Sequence, residues 1–366
     1  MLFELISTFI LGLAASWIVI PRMLKASCSR MMLDRPNARK IHEGAVPRIG
    51  GLCIFLASAI AVIIEVGCDA IFNNVTTYEL QGVNLLVMVF SLLFLSVFGV
   101  LDDMHGLRYR TKFAAQIIAG LLMCASGVWI KDLHGLFGVH GLPVTVGWPF
   151  TVLAVVSITN AINFIDGIDG LASGLCGLAL IYFAFFFICA GLNLYAIVCV
   201  AIISSMIPFV YYNMFGSAER HNKIFMGDTG SLILGLLLCA FGVVLCNNHF
   251  CANDGYNPMV LAFAPMILPC YDVVRVVYNR LTAHHNPFEA DKGHIHHKYL
   301  RLGKSQHFTL VCVLITAVVM TLSSVWLTLC LDINIVLIIE MAFWAFYNII
   351  LTTFINKKTT QLNKLR

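Results

Sequence analysis

Long runs of apolar residues, separated by short polar segments, constrain this chain more than any other feature of its sequence. Of its 366 residues, 60% are hydrophobic and only 11% carry a charge, whereas soluble domains usually carry about 25% charged residues. Water solvates a surface this poor in charge badly, so the main solvent of the chain is expected to be a lipid bilayer. The composition argues against a soluble protein, and we expect no nucleic-acid partner.

The apolar runs predict an all-α, polytopic membrane protein. A helix that crosses a membrane needs about 20 mostly apolar residues. Because the breaks at 191–193 and 332–334 are weak, ten to eleven transmembrane helices are predicted in one membrane domain, 1–366. Its motifs occupy 34–303, and 356–366 is expected to be a short cytoplasmic tail. The runs cover 2–20, 51–67, 83–101, 113–130, 148–165, 171–190, 194–213, 229–247, 257–279, 308–330 and 335–355.

The basic residues predict the orientation of these helices, because Lys and Arg are retained on the cytoplasmic side of a membrane. If eleven helices cross the membrane, the connecting segments alternate between its two sides. All but one of the 23 Lys and Arg residues then fall on the same side, with Arg275 counted in the segment that follows it, and Lys131 is the exception. The chain is therefore predicted to begin outside and to end in the cytoplasm.

Acidic and histidine side chains also gather on the inner side, mostly at helix ends. The inner segments are too short to form a soluble catalytic domain, so an active site there would be built from helix ends and loops. The 13 Cys residues lie mostly in apolar runs, where they act as small apolar side chains, and no CxxC spacing indicates zinc. Cys246 and Cys251 share an outer loop and could form a disulfide.

An acidic pair, Asp102 and Asp103, ends one apolar run. The dipole at a helix C-terminus disfavours negative charge, so we expect a cation to offset this pair, either a divalent metal ion or Lys112. Two ordinary solvated acids at a helix end are the alternative interpretation.

The segment ITNAINFIDGIDGLASG carries four polar residues at a spacing of three, namely Asn160, Asn163, Asp166 and Asp169. On a helix or its frayed end, this spacing brings side chains to neighbouring positions of one face. Their oxygens are hard ligands suited to Mg²⁺ or Mn²⁺, and polar groups at the end of a membrane helix are costly. An Asp-Gly turn between two membrane helices is the alternative.

Asp228 begins another apolar run, in the segment KIFMGDTGSLILG. The N–H groups at a helix N-terminus favour phosphate, and Asp228 could hold a metal ion that bridges to it. Asp is also a common N-cap residue, so capping alone is the competing interpretation.

Two basic segments complete the candidate site. His294, His296 and His297 lie in HHNPFEADKGHIHHKYLRLG, which could bind a pyrophosphate or a sugar, could be merely solvated, or could bind a transition metal. Arg48 belongs to DRPNARKIHEGAVPRIGG, where basic residues indicate either a substrate-phosphate site or the attraction of a loop to anionic lipid.

Together, these segments resemble the polyprenyl-phosphate N-acetylhexosamine-1-phosphate transferase family, glycosyltransferase family 4. The resemblance runs from Asp34 to about Gly303 and is carried by NFIDGIDGLASG, FMGDTGS and HIHH. The HIHH motif after NPFEADKG is more similar to the N-acetylglucosamine-type enzymes than to the muramyl-pentapeptide branch. The segment MHGLRYR, after the acidic pair, is a part in which the family varies.

The resemblance implies transfer of N-acetylhexosamine 1-phosphate, expected to be the N-acetylglucosamine form, from a UDP-sugar to undecaprenyl phosphate. UMP would be released, and the product would start a lipid-linked cell-surface glycan. The expected location is the inner membrane of a bacterium, and a homodimer is left open.

The resemblance also implies roles for individual residues. Mg²⁺, with Mn²⁺ as the alternative, would bind at Asn163 and Asp228. Catalytic roles are implied for Asp102 and Asp103 near the acceptor phosphate, and for Asp166 and Asp169 near the nucleotide-sugar. The residues expected to bind substrate are Lys112, Asn160, His294, His296, His297 and Arg48.

Elementary chemistry agrees with this reaction, which exchanges one phosphoanhydride bond for another. Charge neutralisation and in-line positioning would supply most of the catalysis. A phosphate monoester is mostly a dianion near neutral pH, so direct attack is expected, with Asp102 accepting a proton if one is present. A covalent aspartyl intermediate is the alternative mechanism.

Three other functions compete with this one: a muramyl-pentapeptide-type transferase, a metal-dependent lipid phosphatase and a membrane transporter. A transporter would place ionisable groups near the membrane midplane on paired broken helices. Asp272 and Glu340 are the acids most expected to lie within a helix, and they form no such pair.

The predicted orientation can be tested by labelling introduced cysteines in a background without reactive Cys. A Cys at Ser217 should react with an impermeant thiol reagent only in opened cells, whereas a Cys at Asn74 should react in intact spheroplasts. The reverse labelling pattern would contradict the orientation predicted from the basic residues.

Overall fold

The computed structural model describes residues 1–26, 33–34, 46–72, 83–248, 255–285 and 293–364. Two-residue strands, Leu33–Asp34 and Val46–Pro47, pair antiparallel, and all other regular structure in these ranges is helical. The helices are α1 (Leu2–Ala26), α2 (Gly50–Phe72), α3 (Leu85–His105), α4 (Tyr109–Ala125), α5 (Val144–Ile165), α6 (Leu171–Cys189), α7 (Asn193–Phe215), α8 (Gly227–Cys246), α9 (Pro258–Phe263), α10 (Ile267–Thr282), α11 (Ile295–Arg301), α12 (Gln306–Leu327) and α13 (Ile333–Lys364), with 3₁₀ turns at Leu136–Gly138 and Ala264–Met266.

This architecture confirms the predicted all-α membrane fold. Ten helical segments within the described ranges are long and apolar enough to cross a membrane, with α9 and α10 counted as one segment. The remaining predicted run, 113–130, corresponds to α4, which has 17 residues and is shorter than the usual span of about 20. Helix α13 continues to Lys364 and therefore includes most of 356–366, whose cytoplasmic location stays a prediction.

Helix α8 forms the centre of the bundle. Every residue from Thr229 to Cys246 is buried, because α2, α3, α5, α6 and α9 pack around it. Peripheral helices instead expose large apolar side chains; Phe3 of α1, for example, is 82% exposed. A helix that is apolar on all sides is stable when it is buried in protein or faces lipid, and the bundle contains both kinds.

Glycines allow α8 to approach its neighbours closely. A Cβ atom added to Gly51 of α2 would lie 2.0 Å from the Cα of Gly230, and one added to Gly235 would lie 2.6 Å from the Cα of Thr159 in α5. Small residues at such crossings let helix backbones come into contact within a membrane. These contacts fix the position of α8 relative to α2 and α5.

The chain between α9 and α10 is broken by the 3₁₀ turn Ala264–Met266, which contains Pro265. Proline lacks the backbone N–H that would continue an α-helix. The break turns α10 toward α5 and α12, which it contacts.

Several sequence predictions concern residues outside the described ranges. These include the pairing of Cys246 with Cys251, the labelling position Asn74 and most of the basic segment before Arg48. They remain predictions.

The packing of α2 on α8 predicts a contrast between two glycines of the same helix. Gly51→Ala should lower the free energy of unfolding by about 1–3 kcal/mol, because its new methyl group overlaps the backbone of α8. Gly67→Ala should not destabilise the protein, because nothing lies within 4 Å of the added atom and Ala favours a helix. Thermal unfolding in detergent measures both, and equal stability of the two variants would contradict the close approach.

Candidate active site

Four polar side chains meet at one end of the bundle, where α3 ends, α4 begins, α5 ends and α8 begins. They are Asp102, Lys112, Asn163 and Asp228, and we refer to them as the acidic cluster. Their elements are joined by the packing of α3 and α5 against α8 and of α4 against both α3 and α5.

Lys112 holds two carboxylates of the acidic cluster. Its Nζ forms an ion pair with Asp102 Oδ2 and lies 3.1 Å from Asp228 Oδ2. Asp102 is only 2% exposed, and its Oδ1 accepts a hydrogen bond of 2.7 Å from the backbone N–H of Leu107. The chain reverses at Gly106, whose φ of 67° is left-handed, and this turn allows α4 to return Lys112 to Asp102. The expected cationic partner of the acidic pair is thus confirmed.

Asp228 does not cap α8, so the capping interpretation of this residue is wrong. The helix begins at Gly227 and Met226 precedes it without a side-chain cap. The Asp228 Oδ1 instead accepts a hydrogen bond of 2.5 Å from Asn163 Nδ2, and the same nitrogen lies 2.9 Å from Ser231 Oγ. Asp228 therefore links Lys112 of α4 to Asn163 of α5.

Asp103 supplies the cap that Asp228 does not. Its Oδ1 accepts a hydrogen bond of 2.8 Å from the backbone N–H of Asp228. Its Oδ2 accepts bonds from the backbone N–H and hydroxyl of Thr229, at 2.9 and 2.7 Å. Gly227 has a φ of +75°, and a Cβ there would lie 2.7 Å from Asp103 Oδ2. Both carboxylate oxygens thus bind α8, while the catalytic role of Asp103 stays a prediction.

Asp166 and Asp169 lie in the loop after α5, because that helix ends at Ile165. The sequence predicted that the four polar residues would share one helical face, and they do not, because Asp166 and Asp169 lie beyond the helix. The Asp169 Oδ2 lies 2.6 Å from Lys223 Nζ. Asp166 keeps an exposed surface, but partial desolvation, followed by the charges of Asp228, Asp169 and Asp103, raises its pKa to about 7.

Asn160 lies deeper along α5 and faces α4. Its Nδ2 donates a hydrogen bond of 2.6 Å to Gln116 Oε1, and Gln116 Nε2 donates one of 3.3 Å back to Asn160 Oδ1. Asn160 therefore pairs with Gln116, whereas Asn163 contacts Asp228 and Ser231. The substrate-binding role of Asn160 stays a prediction. Gln116 was missed by the sequence analysis, although it follows Lys112 by one helical turn.

The three histidines lie at the start of α11, and His296 points into the loop after α5. A Cβ added to Gly167 would lie 2.1 Å from His296 Nε2. His296 is buried, and neither ring nitrogen has a hydrogen-bond partner among the described residues. Burial, and then the charges of His297 and His294, lower the pKa of His296 to about 3, so its ring is uncharged at neutral pH. The structure thus joins the histidine motif to the Asp166–Asp169 loop.

Arg48 is held beside the start of α8 by backbone pairing. The N–H groups of Gly50 and Gly51 donate to the carbonyls of Phe225 and Met226 at 2.9 and 2.8 Å. Arg48 also lies close enough to Asp166 for its charge to oppose the rise in that pKa. The basic segment therefore contributes at least Arg48 to the surroundings of the acidic cluster.

Asn213 is a positioning residue that the sequence analysis missed. Its Oδ1 accepts a hydrogen bond of 2.8 Å from Gly170 N–H, and its Nδ2 donates one of 2.9 Å to the Ile224 carbonyl. It ties the loop of Asp166 and Asp169 to the segment before α8. An Asn near the end of an apolar run is the signal that could have identified it.

The oxygen atoms of Asn163 and Asp228 fit a divalent cation whose remaining ligands would come from water and substrate. Asn163 and Asp228 would hold such a cation through hard oxygen atoms, next to the Lys112 ammonium that pairs with Asp228. No group of three or more His, Cys, Asp or Glu side chains forms a metal site by itself within the part of the chain that the structure describes. Mg²⁺ usually takes one or two carboxylates and completes its shell with water and phosphate oxygens.

Comparison with known sequences identifies the family. The sequence model of glycosyl transferase family 4 matches residues 85–276, just over half of the chain. The chain belongs to this family. The matched region contains the whole acidic cluster and Asp272, whereas Arg48 and the three histidines lie outside it.

Curated relatives extend the similarity over most of the chain. A probable undecaprenyl-phosphate N-acetylglucosaminyl 1-phosphate transferase of Bacillus subtilis is 28% identical, covering 89% of this chain and 87% of the relative. The decaprenyl-phosphate N-acetylglucosaminephosphotransferase of Mycolicibacterium smegmatis is 30% identical over 74% and 69%. An undecaprenyl-phosphate alpha-N-acetylglucosaminyl 1-phosphate transferase of Escherichia coli K12 is 28% identical over 78% and 74%.

The contacts of Asp103 predict that it stabilises the family fold. Asp103→Ala should lower the free energy of unfolding by about 1–3 kcal/mol, because buried N–H groups of α8 lose their acceptors. Asp169→Ala removes a partly exposed ion pair and should cost at most about 1 kcal/mol. Thermal unfolding of the two variants without substrate measures this difference, and an Asp103 variant as stable as the wild type would refute the capping role.

Proposed function

We propose that this family member transfers N-acetylglucosamine 1-phosphate from UDP-N-acetylglucosamine to undecaprenyl phosphate and releases UMP. The observation that carries the proposal is the joining of Asp102 and Asp228 through Lys112 at the end of a membrane-spanning bundle. The names of the relatives from three bacteria support the same polyprenyl-phosphate transferase chemistry.

The position of the acidic cluster suits a substrate that is part lipid and part phosphate. The cluster lies at helix ends, while the flanking helices present apolar surface along their length. A polyprenyl chain could therefore stay in the bilayer while its phosphate reaches Lys112. In this proposal the cluster faces the cytoplasm of a bacterium, where a nucleotide-sugar is available.

The charges explain why a cation is part of the proposal. Lys112 neutralises only one of the two carboxylates that it contacts, and two phosphate substrates would add further negative charge. A Mg²⁺ ion held by Asn163 and Asp228 would supply positive charge where the phosphates meet. Arg48 and the histidine motif would then bind the donor from the side of Asp166 and Asp169.

The proposed reaction needs little proton chemistry from the protein. An oxygen of the acceptor phosphate attacks the sugar-linked phosphorus of the donor, the phosphoanhydride bond to the UMP phosphate breaks, and UMP leaves with the electron pair. Asp102 accepts a proton if the acceptor arrives as the monoanion. Lys112 keeps Asp102 and Asp228 at a fixed separation, so positioning supplies much of the rate enhancement.

UMP release by the purified protein tests this proposal. We expect UMP formation from UDP-N-acetylglucosamine only when undecaprenyl phosphate is present, loss of activity in EDTA, and recovery with Mg²⁺. Asp228→Asn is the negative control. It should lose nearly all turnover, because the variant lacks the carboxylate proposed to bind the metal ion and neither substrate can supply that ligand.

Each other outcome of this assay has a distinct meaning. Turnover only with a UDP-muramyl-pentapeptide donor would favour the muramyl-pentapeptide branch. Release of phosphate from the lipid without a donor would favour a phosphatase. Full turnover in EDTA would remove the metal from the proposal, and no UMP under any condition would refute the transferase assignment.

A further inference from the structure

Asp272 of α10 is a buried acid that the sequence motifs leave without a role. It is 0% exposed, and its side chain faces the start of α11. The Asp272 Oδ2 lies 2.9 Å from His294 Nδ1, and the backbone N–H of Ile295 lies 3.2 Å from both carboxylate oxygens. Asp272 therefore connects the broken membrane segment to the histidine motif.

Arg275 determines which oxygen of the Asp272 carboxylate faces His294. Its Nη2 donates a hydrogen bond of 2.7 Å to Asp272 Oδ1 and another of 2.7 Å to the Gly293 carbonyl. The guanidinium group thus occupies the Oδ1 side and leaves Oδ2 to His294. Because a carboxylate only accepts hydrogen bonds, the proton of a neutral His294 must lie on Nδ1.

Aromatic contacts hold the His294 ring in place. It stacks on the ring of His296 with a centroid separation of 5.9 Å and an interplanar angle of 3°. It also lies 5.9 Å from the ring of Phe164, the residue that follows Asn163 in α5. The ring is thus held beside the end of α5, and the contact of Nδ1 with Asp272 leaves Nε2 as the second ring nitrogen.

We propose that Asp272 is a positioning residue that fixes the tautomer of His294, so that Nε2 presents a lone pair to the nucleotide-sugar. His294 would then accept a hydrogen bond from an N–H or O–H group of that donor. The identity of the ligand rests on the proposed transferase function, whereas the tautomer rests only on the contacts of Asp272. Carboxylates and carbonyls that orient a histidine in this way are common where its second nitrogen binds a ligand.

Asp272→Asn tests the proposal because Arg275 controls how the new amide group is oriented. The amide oxygen should remain at Arg275 and the Ile295 N–H, since an NH₂ group there would face two donors. The amide nitrogen should then face His294 and donate to Nδ1, which moves the ring proton to Nε2. The volume of the side chain is almost unchanged, while the hydrogen-bond character of His294 is reversed.

Nitrogen NMR of protein with ¹⁵N-labelled histidine reports this change directly. His294→Gln identifies the resonances of His294 by their disappearance. At alkaline pH and without substrate, the wild type should carry the proton on Nδ1 and Asp272→Asn should carry it on Nε2. A wild-type proton on Nε2 would overturn the proposal. The wild-type spectrum does not depend on how well Asp272→Asn folds.

The activity of Asp272→Asn provides a second readout. We expect the KM for the nucleotide-sugar to rise by about 10-fold to 100-fold, with little change in the KM for polyprenyl phosphate. An equal change in both constants would indicate a general structural defect and would also overturn the proposal. If the wild type releases no UMP, the proposed function fails, while the NMR spectrum still decides the tautomer.

Glu340→Gln is a matched control for Asp272→Asn. It makes the same chemical change in a carboxylate that is 2% exposed and that accepts hydrogen bonds of 3.0 and 2.9 Å from Ser323 and Ser324. Glu340 lines an apolar cavity with Leu136, Ile333 and Tyr271, the residue before Asp272, and no member of the acidic cluster lines this cavity. It should leave both the His294 spectrum and the donor KM unchanged, and an effect equal to that of Asp272→Asn would reject a specific role for Asp272.

Discussion

The cap that Asp103 forms on α8 is the interaction on which the rest of this structure depends. The first N–H groups of a helix have no partner within the helix and need acceptors elsewhere, and α8 is buried from Thr229 onward. Asp103, at the end of α3, provides them. Its neighbour Asp102 is thereby brought to Asp228, since the two acids of one helix end divide between the α8 backbone and Lys112. The same bonds that stabilise the bundle therefore create the acidic cluster.

Pairing of buried charges organises the surroundings of the cluster. Buried carboxylates are costly unless opposite charges or hydrogen bonds compensate them. Lys112 compensates Asp102 and Asp228, Lys223 compensates Asp169, and Arg275 compensates Asp272. The Lys112 and Lys223 pairs each join separate segments of the chain. Arg275 lies in the same helix as Asp272 but also donates to the Gly293 carbonyl, so the contacts that neutralise charge also place the loops. In the proposed function, phosphate and a metal ion would enter a site in which Lys112 balances only one of its two carboxylate charges, and binding would redistribute these partners.

The sequence predicted correctly those features that depend on one segment of the chain, and it failed for features that depend on contacts between distant segments. Apolar runs predicted the helices because the requirement for apolar side chains acts on each segment separately, and the charge at the end of α3 correctly required a cation such as Lys112. The spacing of three from Asn160 to Asp169 was misleading, since α5 ends before Asp166 and Asn160 turns to Gln116. The capping role considered as an alternative for Asp228 belongs to Asp103, 125 positions earlier in the chain, which no local pattern in the sequence could indicate.

By itself, the sequence determined that this chain is a polytopic α-helical membrane protein with its polar chemistry at helix ends. Hydrophobic burial and backbone hydrogen bonding impose that outcome on any chain with such runs. The tertiary structure alone decided which acid caps α8, which acid shares Lys112 and which carboxylate orients His294. Those assignments depend on glycine-mediated helix crossings and on a break at Pro265 that bring distant residues within hydrogen-bond distance. A hydrogen bond is decided by distances of a few ångströms in space, and sequence separation does not specify them.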